Sequence, residues 1–347
     1  MTKRDEIKHL FTAGFDENSE WTDWYFDKVY DDDEAMIAYS SSKAVSCLML
    51  SQYQMKLGDA SVGMGYISCA TTARSARGQG HMRRLINDAL IESACRGDAL
   101  VSLIPASRRL YLYYARLGFV SLFYTDNLRY TSLHRFCSDS NFERCEPSYS
   151  IFSRLEALRP STVIHSEADF THIIEDAALD GSHVLAVADR SNPDDCAMAL
   201  VTIGDDTATV KDISASSARA RENVLAEVRK VVGPRMIVIR DCPGDDTLAF
   251  TPAGMGRIAS VKMILEAIAA HDTSTTQTIR VRDNIIADNN AVFIIHNGTV
   301  ESVKTTMRKL TIDVSVENLA KIIFNSPRVG QIFSIPSFRP YMALMLE

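Results

Sequence analysis

The stretch ARGQGHMRRLINDAL, residues 76–90, follows a strand-like YISCATT ending at Thr72 and places Gly78 and Gly80 directly ahead of a helix. Glycine destabilises a helix interior but suits a turn where the backbone takes positive φ or comes close to another group. The first turn of a helix carries N–H groups without intrahelical partners and the positive end of the helix dipole, so such a turn can hold an anion. Within the helix, Met82, Leu85, Ile86, Ala89 and Leu90 recur at the spacing of one face, and Arg83, Arg84, Asn87, Asp88 and Glu92 take the other. The turn is not a Walker loop, because it lacks Gly-Lys-Ser/Thr. It is not a dinucleotide fingerprint either, because GxGxxG is absent. A glycine-bearing strand-to-helix turn is by itself often plain punctuation, so its surroundings must decide its role.

Ahead of the loop, residues 4–12 and 21–30 have helical spacing, and AMIAYS, AVSCLMLSQYQMKL and ASVGMGYISCATT read as strands. Gly58-Asp59 between the last two is a hairpin turn, which makes an antiparallel meander. After the loop helix come the buried-type strand ALVSLIP and the helix RLYLYYARLGF, stopped at Gly118. FVSLFY and NLRYTSL then read as a closing strand pair. Residues 1–135 are thus expected to form an α+β domain with a mostly antiparallel mixed sheet flanked by helices. The polar CSDSNFERCEPSYS reads as a linker. Residues 150–250 repeat the order of meander, helix and strand, but DISASSARAREN stands where the glycines would be. This is the pattern of a second, degenerate copy. From 251 to 347 the expectation is a third α+β domain, with helix GRIASVKMILEAIAAH, strands TIRVRDNII, AVFIIHNG and KLTIDVS, helix VENLAKIIF and a final strand-like PYMALMLE. So apolar an ending is not expected to be a loose tail.

Bulk properties narrow the partners. At 347 residues the chain is too long for one small core. A formal net charge of -7 argues against nucleic acid as a partner. Seven cysteines without a CxxC pair fit reduced thiols, and eight histidines without ligand spacing point to no metal. The N-terminal MTKRDEIKHLF is not a signal peptide, and no apolar run approaches the ~20 residues of a membrane helix. A cytoplasmic protein with no membrane partner is expected.

The pattern Arg77-x-x-Gly80-x-Met82 after a meander strand, followed by YARLGF, resembles the GCN5-related N-acetyltransferase (GNAT) superfamily. Met82 stands where that motif usually has Gly or Ala. With a bulky residue there, RGQGHMRRL looks more like the Eis-type (enhanced intracellular survival) subgroup. The resemblance implies two tandem GNAT-like domains, the second degenerate, plus a C-terminal sterol-carrier-protein-like domain. It also implies acetyl-CoA as co-substrate and a homo-oligomer, a hexamer built from trimers. The acceptor it implies is the primary amine of a small molecule, aminoglycoside- or polyamine-like. Lysine or peptide acetylation is a second enzymatic reading, and a non-catalytic carrier of apolar ligands is a third.

Under this resemblance the loop backbone and side chains of Arg77, Gly78, Gln79, Gly80, His81, Met82 and Arg83 hold the pyrophosphate. Ala70, Thr71 and Thr72 pair with the pantetheine arm, and Ser107 joins the cofactor set. His81 itself is expected to cap or to face solvent. The general acid is Tyr114, four residues before Gly118, with Tyr111 and Tyr113 rivals by chemistry alone. A phenol near pKa ~10 facing a thiol near ~8.5 is a workable proton donor. The resemblance makes the free C-terminal carboxylate of Glu347 the base. For the acceptor, FDENSEWTDWYFDKVYDDDE mixes Asp16, Glu17, Glu20 and Asp27 with aromatic residues, and Trp24 and Phe26 are the pocket candidates. At helical spacing Trp21, Trp24 and Tyr25 are equally a core stripe.

Overall fold

The computed structural model describes residues 2–15, 17–244, 250–324 and 332–346. In chain order the first third holds α1 (Lys3–Gly14), α2 (Ser19–Lys28), β1 (Ala35–Ser40), β2 (Lys43–Leu57), β3 (Ala60–Thr72), α3 (His81–Cys95), β4 (Asp98–Leu103), α4 (Arg108–Ala115) and β5 (Val120–Tyr130). The middle holds β6 (Phe142–Cys145), α5 (Tyr149–Leu158), β7 (Ser161–Ile164), α6 (Glu167–Leu179), β8 (His183–Asp189), β9 (Cys196–Ile203), β10 (Thr207–Ala215), α7 (Ala218–Val232) and β11 (Met236–Asp241). The last part holds β12 (Thr251–Ile258), α8 (Val261–His271), β13 (Gln277–Arg282), β14 (Val292–His296), β15 (Thr299–Val303), β16 (Ile312–Ser315) and α9 (Val316–Phe324). These elements gather into two compact units. Among the described residues, one spans 1–123 and 252–340, and the other 124–251 with 341–346.

In the first unit β1, β2 and β3 form the expected antiparallel meander, turned at Gly58. β3 then runs parallel to β4, with α3 as the crossover. β12 pairs antiparallel with the far side of β4, Met255 opposite Leu103 through Ile258 opposite Leu100. The period-3.6 stripe of α3 does what it encodes: Leu85, Ile86, Ala89 and Leu90 are buried against Leu48, Leu50, Ile67 and Val101, while Arg83 and Arg84 are exposed. Each such buried leucine or isoleucine contributes ~1.5–3 kcal/mol. α1 and α2 bury Ile7, Leu10, Phe11, Tyr25 and Phe26 on the face of β2 that carries Cys47 and Met49. α1 begins in a capping box, in which Thr2 accepts from the Asp5 N–H and Asp5 accepts from the Thr2 N–H. A separate four-stranded sheet in the order β15-β14-β13-β16 closes the last part of this unit.

In the second unit β8, β9 and β10 are antiparallel, and β10 runs parallel to β11 across α7. The sheet extends to β5 beside β11 and to β6 beside β8. Val224, Leu225 and Val228 of α7 and Leu185, Ala199 and Ile237 of the strands share one core. Among the described residues no helix is long and apolar enough to cross a membrane.

Several local expectations are corrected. FVSLFY and NLRYTSL are one continuous strand, β5, because no glycine or proline interrupts residues 119–130. The stretch read as a linker carries β6 and the start of α5, whose N-terminus is capped by Ser148. GRIASVKMILEAIAAH begins as strand: β12 runs to Ile258, and Ser260 caps α8 by accepting from the Met263 N–H. In the closing PYMALMLE, residues 340–346 are not a strand, since among these described residues only Tyr341 makes a bridge, with Thr162, and Glu347 lies outside the described residues.

Candidate active site

The site lies where β3 and β4 part. Their parallel register runs from Gly63 opposite Asp98 to Ile67 opposite Leu103 and ends there, although β3 continues to Thr72. On its other edge β3 stays paired with β2, Ser68 opposite Met49 and Thr71 opposite Cys47. Two residues of β3 therefore stand where β2 has only Leu48, which makes a β-bulge. Cys69 lies in it at φ +53°, a conformation that L-residues adopt at a cost of ~1–3 kcal/mol. Such bulges bend a strand and cluster beside active sites. Among the described residues no strand takes up the β4-facing edge of β3 beyond Ile67, so its backbone groups face an opening. Sequence reasoning missed this bulge, because a non-glycine residue at positive φ leaves no mark in the sequence.

The packing holds the end of β3 firmly. The Ser46 hydroxyl donates to the Thr71 carbonyl at 2.9 Å and lies 2.8 Å from the Thr72 hydroxyl. At the end of α1, a β-carbon on Gly14 would fall 2.1 Å from Thr71 Oγ1, so glycine lets the helix close over that residue. Thr71 is consequently buried, whereas Ala70 and Thr72 are half-buried.

Beyond Thr72 a single 3-10 turn, Arg74–Ala76, leads into the loop. Arg77 folds back and donates from Nε to the Thr72 carbonyl at 3.1 Å, and Gln79 donates to the Ser75 carbonyl at 3.1 Å. Gly78 and Gly80 have φ of +79° and +82°, and a β-carbon at either position would meet nothing within 4 Å. Glycine is thus required by the backbone conformation and not by crowding, and the space beside the loop is open. Gly80 is the N-cap of α3 and offers no side chain to cap it. The first N–H of the helix returned to the backbone is that of Arg84, to the Gly80 carbonyl at 3.1 Å. Among the described residues the N–H groups of His81, Met82 and Arg83 have no hydrogen-bond partner, and Arg74, Arg77, Arg83 and Arg84 are exposed on the same stretch. This cradle fits a pyrophosphate by charge, by free donors and by open space.

His81 departs from its expectation. Its side chain is 8% exposed, and Nδ1 lies 3.1 Å from an Arg84 guanidinium nitrogen. A guanidinium can only donate, so Nδ1 accepts and the proton of a neutral ring sits on Nε2. Nε2 is buried with no hydrogen-bond partner among the described residues.

Tyr114 lies in the core that borders the opening. It is 7% exposed, packed edge-on against Phe119 at 5.9 Å, in the same cluster as Ile67 and Leu85. Ala70, Met82, Tyr111 and Tyr113 pack against that cluster, so the strand end, the loop helix and α4 converge there. Burial, with Tyr113 alongside, pushes the Tyr114 phenol up to about 12. Tyr113 is half-buried, and its phenol is raised by burial against the opposing charge of Arg83. Tyr111 donates its hydroxyl to the Pro252 carbonyl at 3.2 Å. Among the described residues no protein group is hydrogen-bonded to the Tyr114 hydroxyl. Ser107 is exposed and extended at the N-cap of α4, where its carbonyl, not its side chain, takes the Leu110 and Tyr111 N–H groups.

The acceptor candidates are placed differently from one another. Phe26 is 1% exposed, packs edge-on against Phe11 and Tyr25 and carries the Lys8 ammonium over its ring at 5.6 Å. Its faces are occupied by packing, so it offers no surface to a ligand. Trp24 is half-buried and tilted against Trp21 at 6.0 Å. Asp27 is paired with Arg4, and Asp16 and Glu347 lie outside the described residues.

Residues 2–120 match the acetyltransferase (GNAT) domain family. No curated protein matches the chain in sequence. Among solved structures, a GCN5-related N-acetyltransferase from Anabaena variabilis is 17% identical with a TM-score of 0.78, over 97% of this chain and 96% of that one. Eis1 from Mycobacterium abscessus is 15% identical with a TM-score of 0.73, over 96% and 92%. A GCN5-related N-acetyltransferase from Kribbella flavida is 15% identical with a TM-score of 0.75, over 99% and 95%. At these identities the likeness establishes the fold, and it extends over nearly the whole chain. The opened strand pair and the uncapped glycine loop both lie within residues 2–120, the part of the chain that matches the acetyltransferase (GNAT) domain family, and the fold likeness reaches beyond it over nearly the whole chain.

Proposed function

We propose that the chain transfers an acetyl group from acetyl-CoA to the primary amine of a small molecule, with Tyr114 as general acid and the C-terminal carboxylate of Glu347 as general base. Acetyl-CoA supplies an activated thioester. The backbone donors from Gly78 to Arg83 bind its pyrophosphate, and the β4-facing edge of β3 at Ala70–Thr72 pairs with its pantetheine arm. When the amine nitrogen bonds to the thioester carbon, a free N–H on that edge steadies the charge developing on the carbonyl oxygen. The C–S bond then breaks, the sulfur takes the Tyr114 proton, and the nitrogen gives a proton to the terminal carboxylate. Protons balance, and the phenol is restored from solvent once the thiol has left.

The observation that carries this reading is the Tyr114 hydroxyl, set in a largely buried ring beside the opening and without a protein partner among the described residues. Trp24 remains the acceptor-side candidate, with Glu17 and Glu20 near it in sequence as counter-charges for a cationic amine. Placement in the Eis-type subgroup, with its sterol-carrier-like part and hexameric assembly, belongs to the same proposal. The test is acetyl-CoA-dependent thiol release against aminoglycosides, polyamines, aryl amines and lysine peptides. Turnover with one small-amine class, lost in Tyr114→Phe, is the expected result. Turnover with peptides alone would move the assignment to protein acetylation, and full activity in Tyr114→Phe would remove the acid.

A further inference from the structure

The bulge in β3 changes which side chains share a face of the sheet. Along a regular strand successive side chains alternate between the two faces. Ile67 packs in the α3 cluster with Leu85 and Ile86. Alternation sends Ser68 to the other face and would return Cys69 to the side of α3. Cys69 instead packs with Cys47, Met49, Tyr25 and Phe26, under α1 and α2. Ala70 is again on the α3 side, and Thr71 lies at the end of α1 beside Gly14. Ser68 and Cys69 therefore stand on one face, and from Cys69 onward the alternation runs one residue out of step.

Those two side chains meet on one phenol. Tyr25 of α2 is 2% exposed, its ring stacked on Trp21 at 5.2 Å and on Phe11 at 6.2 Å. The Cys69 thiol donates to its hydroxyl at 3.3 Å, and Ser68 adds a side-chain hydrogen bond to the same phenol. Burial pushes the phenol well above its ordinary value and the Cys69 thiol up to about 11, so both keep their protons through the neutral range. The backbone N–H and C=O groups of a strand alternate between its two edges as the side chains alternate between its faces. A bulge thus also resets which residues beyond it turn donors to a given edge. Here one of those edges is the β4-facing side of β3 past Ile67.

We propose that Tyr25 is a positioning residue: by holding Ser68 and Cys69 together on one face it pins the bulge, and so fixes which N–H at the end of β3 meets the thioester carbonyl. The proposal rests on the reading of that edge as the acetyl-CoA site. A slip of one residue would straighten the strand, turn Cys69 towards α3 and exchange the edges to which Ala70, Thr71 and Thr72 present their backbone. The slip would also release Cys69 from φ +53°, so backbone strain favours it and the grip of the phenol opposes it.

The test uses the full chain with Tyr25→Phe, Cys69→Ala and Cys69→Ser, each checked by thermal melting. The first readout is alkylation of Cys69 by iodoacetamide in the native protein, located by peptide mass spectrometry. A buried thiol reacts through local opening, so its rate follows the opening equilibrium. Loss of a hydrogen bond corresponds to about tenfold at most, and Tyr25→Phe should label faster by about that factor. The second readout is kcat and the KM for acetyl-CoA, well below the melting point. In Tyr25→Phe and Cys69→Ala kcat should fall about tenfold. The KM should change little, because the pyrophosphate grip at Gly78–Arg83 is untouched. Cys69→Ser, which keeps a donor for the phenol, should recover most of what Cys69→Ala loses. Unchanged labelling in Tyr25→Phe overturns the pin. Faster labelling with kcat retained overturns the positioning role, as does a fall in Cys69→Ser equal to that in Cys69→Ala. If Tyr25→Phe fails to melt cooperatively, the kcat values of the two Cys69 variants decide. Absence of acetyl-CoA binding to the unsubstituted chain in calorimetry would remove the acetyl-transfer reading and the positioning role with it, while the labelling rates would still decide whether Tyr25 pins the bulge.

Discussion

Tyr114 shows what burial does to a proton donor. Water stabilises a phenolate better than an apolar core does, so burial pushes the group up to about 12. The proton therefore stays on oxygen throughout the neutral range, at the cost of a more reluctant donation than an exposed phenol would give. In the proposed reaction, negative charge growing on sulfur would strengthen the hydrogen bond as the C–S bond breaks, which is when the donation would be needed. A phenol serving as the proposed acid is active when protonated, and this one is raised, so the activity it would support is lost only as pH rises towards about 12. The kcat profile should thus show no descending limb from this group between pH ~8 and ~10, the range where an unshifted phenol with pKa ~10 would begin to titrate. A limb near pH ~10 that vanishes in Tyr114→Phe would mean an exposed, unshifted phenol and would contradict the burial. In Tyr114→Phe kcat should fall by ~10²-fold, the scale of a lost general acid, whereas Tyr111→Phe should change it little because that hydroxyl is already spent on Pro252. Spacing to Gly118-Phe119 is the one sequence feature that points to Tyr114 among the three tyrosines. Nothing in the sequence separates Trp24 from Phe26, because the same helical period serves a core face and a pocket wall. Only packing shows that Phe26 is enclosed while Trp24 keeps some surface.

At the scale of elements, the legible parts were those with a local cause. The α3 stripe, the Gly58 hairpin and the paired glycines each follow from a rule that spans a few residues. Gly80 carries the clearest consequence. At φ +82°, with open space where a β-carbon would go, a side chain would be opposed only by its own backbone, at ~1–2 kcal/mol for a left-handed residue. Gly80→Val should therefore fold but relax the loop away from its donor geometry. The KM for acetyl-CoA should rise while the KM for the amine stays the same, and initial-rate kinetics with each substrate varied will show it. An equal rise in both would mean that the loop shapes the whole site and not the phosphate grip alone. The elements misread were those whose limits depend on distant partners. β5 runs straight through a stretch without glycine because β11 pairs with its second half, and β12 is a strand because β4 offers it an edge. Alternation over a handful of residues cannot distinguish such a strand from the start of the helix that follows.

At the scale of the molecule, chain order conceals which residues share a core. The first compact unit joins residues 1–123 to 252–340, and β12 supplies the strand beside β4. Met255, Ala259 and Ile286 from the later segment lie in the same cluster as Tyr114 and Phe119. Beneath them Arg257 and Asp283, 1% and 0% exposed, form a paired charge at 2.7 Å. Asp283 also accepts from Asn289 and from the Ile285 and Ile286 N–H groups, so it shapes the loop that brings Ile286 to the tyrosine. The turn after α4 closes on the same pair, since a β-carbon at Gly118 would lie 2.6 Å from Arg257 Nε. Burial alone would raise the Asp283 carboxyl, but the hydrogen bonds and charge of Arg257, with Asn289, hold it below its ordinary value. A depressed carboxylate stabilises the fold fully above the unfolded value near ~3.9 and ceases to do so as pH falls through its own lower pKa. Asp283→Ala would leave a buried guanidinium uncompensated, so a loss of ~3–5 kcal/mol is expected in urea unfolding at neutral pH. That loss should shrink in acid as the native carboxylate is itself neutralised. The same reasoning predicts that residues 1–135 expressed alone will not form a stable acetyltransferase. Without β12 the edge of β4 is bare and the Tyr114 cluster lacks three of its apolar members. A cooperative thermal transition in that fragment, with acetyl-CoA binding intact, would show that the later segment is packed onto a core already complete, and the Asp283 variant would then be expected to lose stability without losing the site.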